Sequence, residues 1–241
     1  SLKNIDITDK FWNKYRSLVK EVIIPYQWDT LNDNVPDAEP SHCIENFRIA
    51  AGEKKGEFYG AVFQDTDVAK WLEAVAYVLD SQGRDEELEK LADETIDLIG
   101  KAQGPDGYLN TYFTIKEPER RWTNLREGHE LYTAGHMIEA AVAYYQATGK
   151  RRFLDIVMRF ADLISKKFGP EEGKCHGYPG HPEIELALVK LYRVTGKKNY
   201  LDTAKYFVDV RGVGENYSSQ EEKGEKYQQI FPEFAGYETE Y

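Results

Sequence analysis

The chain has 241 residues, a net charge of −11 and a sequence pI near 5.1. No Lys/Arg stripe interrupts that acidity, which excludes a nucleic acid as the main partner. Its apolar runs last only a few residues, so no membrane span is expected, and no signal-peptide pattern precedes the first helix.

Helical periodicity fills the chain. The first predicted helix carries Phe11, Tyr15, Leu18, Val19 and Val22; it starts after Thr8-Asp9 and stops before Pro25. Val68, Trp71, Leu72, Val75 and Leu79 make the second stripe, and Leu88, Leu91, Ala92, Thr95, Ile96 and Ile99 the third. The fourth and fifth run from Ala134 to Tyr145 and from Phe153 to Ile164. The sixth covers Ile184 to Tyr192, and the seventh Tyr200 to Val208. No alternating segment is long enough for a core strand, so the fold class is all-α.

These helices pair. "TGK" occurs at 148–150 and again 47 residues later at 195–197, and "SQGRDEEL" at 81–88 plays the same part in a looser copy. A hairpin repeated at this period signals a helical repeat or toroid, because one hairpin cannot bury both its faces. The short turns at Gly83, Gly149 and Gly196 then lie at one end. The long connectors 24–67, 100–130 and 165–182 lie at the other. Those connectors hold His42, His129, His176 and His181, with His136 just inside the following helix, so the imidazole and aromatic chemistry gathers on one face.

On that face His181 precedes Pro182 and is expected at or beside a helix N-cap. There the helix dipole favours a neutral ring that both donates and accepts, as a sugar hydroxyl requires. A purely capping histidine is the competing reading. His129-Glu130 is not a metalloprotease motif, since Thr133 stands where the second histidine would be. His136 reads as a core histidine, His42 as a surface one, and Cys175-His176 is too small a set for zinc. Asp65 is expected to be the N-cap of its helix. Asp67 is a carboxylate near the histidines, of the kind glycosidases pair. The two cysteines, Cys43 and Cys175, are too few for a disulfide framework or a Cys-rich zinc site and read as thiols. From residues alone three classes stay open: a carbohydrate hydrolase, a sugar epimerase or isomerase on a similar toroid, and a non-catalytic α-repeat binding module.

The segments "IPYQW", "VFQDTDVAKWLEAVAY", "DGYLNTYF", "HELYTAGHMIEAAVAYYQATG" and "FGPEEGKCHGYPGHPEIELALVKLYRVTGKKNYLDTAKYFVDVRG" resemble glycoside hydrolase family 127, the β-L-arabinofuranosidase family. The resemblance runs from "ITDKFW" to "VDVRG" and implies an (α/α)6 barrel. It implies that His129 of "GHELY" and His181 of "GHPEIE" hydrogen-bond an arabinofuranose in the −1 subsite. Gln64 and Asp67 of "FQDTD" and Tyr108 of "DGYL" would form the pocket wall. The family uses a cysteine nucleophile held by a zinc site of several cysteines and a glutamate, with a separate glutamate as acid/base. Those motifs lie downstream of the matched region. Neither Cys43 nor Cys175 has that context, so no catalytic residue or metal ligand is assigned, and zinc is expected only in full-length members. Six hairpins at this period need about 280 residues, and about three and a half are present. Residues 1–241 are therefore expected to be one helical domain, the N-terminal portion of the barrel, inactive alone. Such a half toroid is expected to associate with itself or with the missing half. The expected compartment is the cytoplasm, with the periplasm as the alternative.

Overall fold

A computed structural model of the protein describes residues 4–211; the expected chain end at "GYETEY" lies outside the described residues. The helices are α1 (Lys10–Leu18), α2 (Ile24–Leu31), α3 (Cys43–Ala50), α4 (Asp65–Gln82), α5 (Glu86–Ala102), α6 (Thr111–Ile115), α7 (Glu130–Thr148), α8 (Arg152–Lys167), α9 (Ile184–Thr195) and α10 (Lys198–Val210). Among the described residues there is no strand, only an isolated bridge between Phe168 and Cys175.

Three hairpins, α4/α5, α7/α8 and α9/α10, stack side by side. α4, α7 and α9 pack in one layer, and α8 touches α5 and α10 in the other. α7 is the centre. Its alanines at 134, 140, 141 and 143 are all buried and admit close neighbours, whereas α8 buries one stripe from Phe153 to Ile164. The expected turns are present: Gly149 and Gly196 adopt φ of 77° and 71° and close their helices with N–H bonds to the Tyr145 and Tyr192 carbonyls. Those left-handed positions suit glycine because a Cβ would be strained there. The layers continue one apolar core from Ile24 to Phe207.

Three expectations need correction. The first helix does not stop before Pro25. A π-helical turn, Val19–Ile23, joins α1 to α2, and the Ile24 N–H bonds to the Val19 carbonyl. The widened turn takes up the proline, which has no N–H to give. Second, α3 and α6 are helices inside connectors expected to be loops; eight and five residues are too few to show a clear period. Third, Asp65 is not an N-cap. It is the first residue of α4 and is buried, and it accepts from the Thr111 N–H at 2.7 Å and from the Thr111 hydroxyl. It ties α4 to the loop before α6.

The stripe on α1 and the π-helical turn is helical as expected but faces mostly outward: Phe11 is 60 % exposed, Tyr15 46 % and Val22 54 %. On the far side of the stack, Leu186 of α9 and Val208 of α10 are exposed as well.

Candidate functional site

The long connectors bring the expected side chains to one end of the helical stack. His129 is the N-cap of α7 and has φ 52°, a left-handed conformation that is uncommon for histidine. Its Nδ1 lies 2.7 Å from the Glu127 carbonyl oxygen. A carbonyl only accepts, so Nδ1 is the donor of this bond. The His129 ring is 5.2 Å from that of His181, 5.1 Å from Phe63 and 5.7 Å from Tyr132. His181 is exposed and sits two residues before the N-cap of α9, which is Glu183. It is therefore neither the N-cap nor next to it, and Pro182 is not the first helical residue.

Tyr132 links this pair to α4. Its ring is 5.3 Å from His181, and its hydroxyl accepts from Lys70 Nζ at 3.3 Å. One helical turn before Lys70, Asp67 accepts from the Gln64 amide at 3.3 Å. Partial burial raises the Asp67 carboxyl, an effect that Lys70 partly offsets. Asp67 and Lys70 also line a cavity of about 400 Å³ between α2 and α4, with Tyr26, Gln27, Thr30 and Trp71. Gln64 holds the loop before α4: its Oε1 accepts from the Ala61 N–H at 3.0 Å, and its amide donates to Cys43 Sγ at 3.1 Å.

Tyr108 is placed differently. It is 1 % exposed, and its hydroxyl donates to Glu130 beneath this face. Glu130, fully buried, also accepts from the Trp122 N–H at 2.6 Å, and burial pushes its carboxyl up to about 7. His136 is half-buried, its ring edge-on to Tyr132 at 4.6 Å, and burial holds it down to about 4, so it is neutral. His42 is the αL N-cap of α3, with Nδ1 2.6 Å from Asp33, and His176 lies by the Glu171 carbonyl. Lys70 and Tyr132 were not singled out from the sequence. Their signal was helical spacing, three residues after Asp67 and three after His129.

The thiols do not fit a zinc-held nucleophile. Among the described residues the one group of three candidate ligands is His136, Glu139 and Glu183, and neither cysteine belongs to it. Cys43 is buried, which pushes its thiol up to about 11, and burial also raises Cys175. A thiol is reactive as its thiolate and when exposed. Native protein at pH 7.5 is expected to leave Cys43 unalkylated by iodoacetamide, and unfolding should expose it. Mass mapping that finds native Cys43 modified within minutes contradicts this placement.

The sequence profile described as the β-L-arabinofuranosidase GH127 catalytic domain matches residues 4–241. A non-reducing end β-L-arabinofuranosidase of Bifidobacterium longum is 44 % identical over 99 % of this chain and 38 % of its own length. The crystal structure of a GH127 β-L-arabinofuranosidase from Geobacillus stearothermophilus T6 superposes with a TM-score of 0.86. It is 65 % identical over 88 % of this chain and 33 % of that one. A second GH127 β-arabinofuranosidase superposes at 0.81 with 39 % identity, over 88 % of this chain and 34 % of its own. This chain thus spans little more than a third of the length of these relatives. With the two helical layers and the same region matched each time, the chain belongs to the β-L-arabinofuranosidase family, glycoside hydrolase family 127, as the N-terminal part of its helical barrel.

Proposed function

We propose that this chain supplies the sugar-binding wall of a β-L-arabinofuranosidase and receives its nucleophile from residues it does not contain. The observation that carries the reading is the His129–His181 pair, 5.2 Å apart, beside Asp67, Lys70 and Tyr132. Imidazole nitrogens, an ammonium and a carboxylate suit a polyhydroxylated ring, and Phe63 and Tyr132 offer faces for its C–H groups. Gln64 acts through the loop it braces, and Tyr108 acts from below through Glu130. The family match argues against the epimerase and binding-module readings. The outward face of α1 is apolar enough to need a cover, and we assign that role to the later helices of a longer family member.

The test is a pair of measurements on the purified chain. Calorimetry is expected to detect weak binding of methyl β-L-arabinofuranoside, weakened about tenfold by His181→Ala, the loss of roughly one well-placed hydrogen bond. The p-nitrophenyl glycoside is expected to stay intact. Turnover by the chain alone would show that its own residues suffice for catalysis.

A further inference from the structure

The segment carrying His181 is fastened to α7 by one side chain. Glu183 is the N-cap of α9, and its N–H donates to the His181 carbonyl at 2.9 Å. Its side chain makes no capping bond to α9 and lies instead on α7. Gly135 makes the room: a Cβ there would stand 2.6 Å from Glu183 Cγ and 3.1 Å from both the Glu183 carbonyl carbon and the Ile184 nitrogen. A Cβ approach that close to backbone cannot be relieved by turning a side chain, so glycine at 135 and the seat of Glu183 go together.

Beyond Gly135 the Glu183 carboxyl meets two titratable groups of α7. One ligand atom from each of Glu183, Glu139 and His136 falls within 4.8 Å of the others, and Glu183 Oε1 is 3.4 Å from His136 Nδ1. Glu73 and Lys70 face this trio from α4, and Lys190 faces it from α9. Lys190 pairs with Glu139, so the negative charge of the trio belongs there. A second carboxylate beside it, partly out of water, is unfavourable. Burial, reinforced by Glu139, pushes the Glu183 carboxyl well above the usual range, while burial keeps His136 neutral. Because Lys190 already supplies the cation, the trio reads as a proton site rather than a metal site. The His136 ring then meets Tyr132 at 4.6 Å, and Tyr132 meets His181 at 5.3 Å, so the trio touches His181 by two routes, backbone and rings.

We propose that Glu183 is a positioning residue: its carboxyl, seated over Gly135 between Glu139 and His136, clamps the start of α9 to α7 and holds His181 beside His129. Ionisation of Glu183 sets a second negative charge against Glu139 and Glu73 and loosens the clamp. The clamp is therefore present at neutral pH and is lost on the alkaline side. Its consequence for sugar binding rests on the function proposed above; the clamp itself does not.

The experiment is ¹H–¹⁵N NMR of the histidine rings of the full chain between pH 6 and 10, with His181 assigned by His181→Gln. Wild type is expected to show a second, alkaline inflection in the His181 signals. Glu183→Gln, which keeps the neutral shape, should show wild-type signals at pH 7 and no alkaline inflection. Glu183→Ala should show at pH 7 the altered signals that wild type reaches only in alkali, with binding of methyl β-L-arabinofuranoside weakened about tenfold. A wild-type His181 signal flat above its own titration overturns the proposal, as does Glu183→Ala signals identical to wild type. If Glu183→Ala fails to fold, the wild-type and Glu183→Gln titrations decide alone. The expected NMR pattern without sugar binding sinks the functional reading and leaves the clamp. Equal sugar affinity in all three proteins overturns the positioning role.

Discussion

At pH 4, Asp65→Ala is expected to cost about 4 kcal/mol of folding stability, and Asp65→Asn less than about 1 kcal/mol. The carboxyl joins the first turn of α4 to the loop before α6, accepting from both the N–H and the hydroxyl of Thr111 across 46 residues of sequence. Alanine leaves both donors unpaired in a dry place, and the unpaired N–H is the greater loss. Asparagine keeps an oxygen for the N–H and turns its amide to the hydroxyl, which then accepts.

The same site gives a pH signature. Burial outweighs the two Thr111 bonds and raises Asp65 from 3.8 to about 6. A raised acid favours folding while it is protonated. Its contribution is fully present below about pH 4 and is lost as pH rises through 6, about 3 kcal/mol in all. His136, held down to about 4, works in the opposite sense, losing stability as pH falls below 6.5. The wild-type profile mixes these two with Glu130, whose carboxyl is also raised by burial. Subtracting the Asp65→Asn profile isolates the aspartate, and urea titrations at pH 4, 5, 6 and 7 measure it. Parallel profiles for the two proteins would mean that Asp65 is charged in the folded protein at no cost.

The hairpins were legible because two signals agreed: apolar spacing and the repeated Thr-Gly-Lys turn. Alternating helix direction then placed His129 and His181 at one end, and their rings do meet. The polar ties beneath that end were not legible. Asp65 sits where an N-cap rule is satisfied equally well, and only a contact with Thr111 separates the readings. The family resemblance implied a wall role for Tyr108, and an aromatic ring in a glycine-rich loop can serve as wall or as core. Its partner Glu130, 22 residues on, decides which. The stripe of α1 carries a correct helical period but no record of which face is covered. The π-turn at Val19–Ile23 is a local answer to Pro25 that hydrophobic spacing cannot show.

Glu130→Ala is expected to lower the melting temperature by about 10 °C, corresponding to about 4 kcal/mol in a chain of this size. The carboxyl takes the Tyr108 hydroxyl and the Trp122 N–H, and both are buried. It also stands between two strained residues, Trp122 at φ 64° and His129 at φ 52°. Conformations of this kind persist only where their surroundings hold them. Losing Glu130 therefore frees His129 as well as the loop, and sugar binding should fall with stability. Glu130→Gln separates this bracing from chemistry. The amide oxygen accepts from Trp122, the amide nitrogen donates to the Tyr108 oxygen, and no charge needs burying. Burial raises Glu130 to about 7, so wild type loses about 3 kcal/mol between pH 4.5 and 7 that the glutamine variant keeps. Glu130→Gln should match wild type at pH 5, exceed it in stability at pH 8, and bind sugar normally at both. Trp122 packs against Tyr108 at 5.3 Å and Phe168 at 5.3 Å, so its share of the fluorescence of the four tryptophans changes when the loop opens during thermal melts. A glutamine variant that is stable yet no longer binds sugar would make Glu130 a binding group rather than a brace.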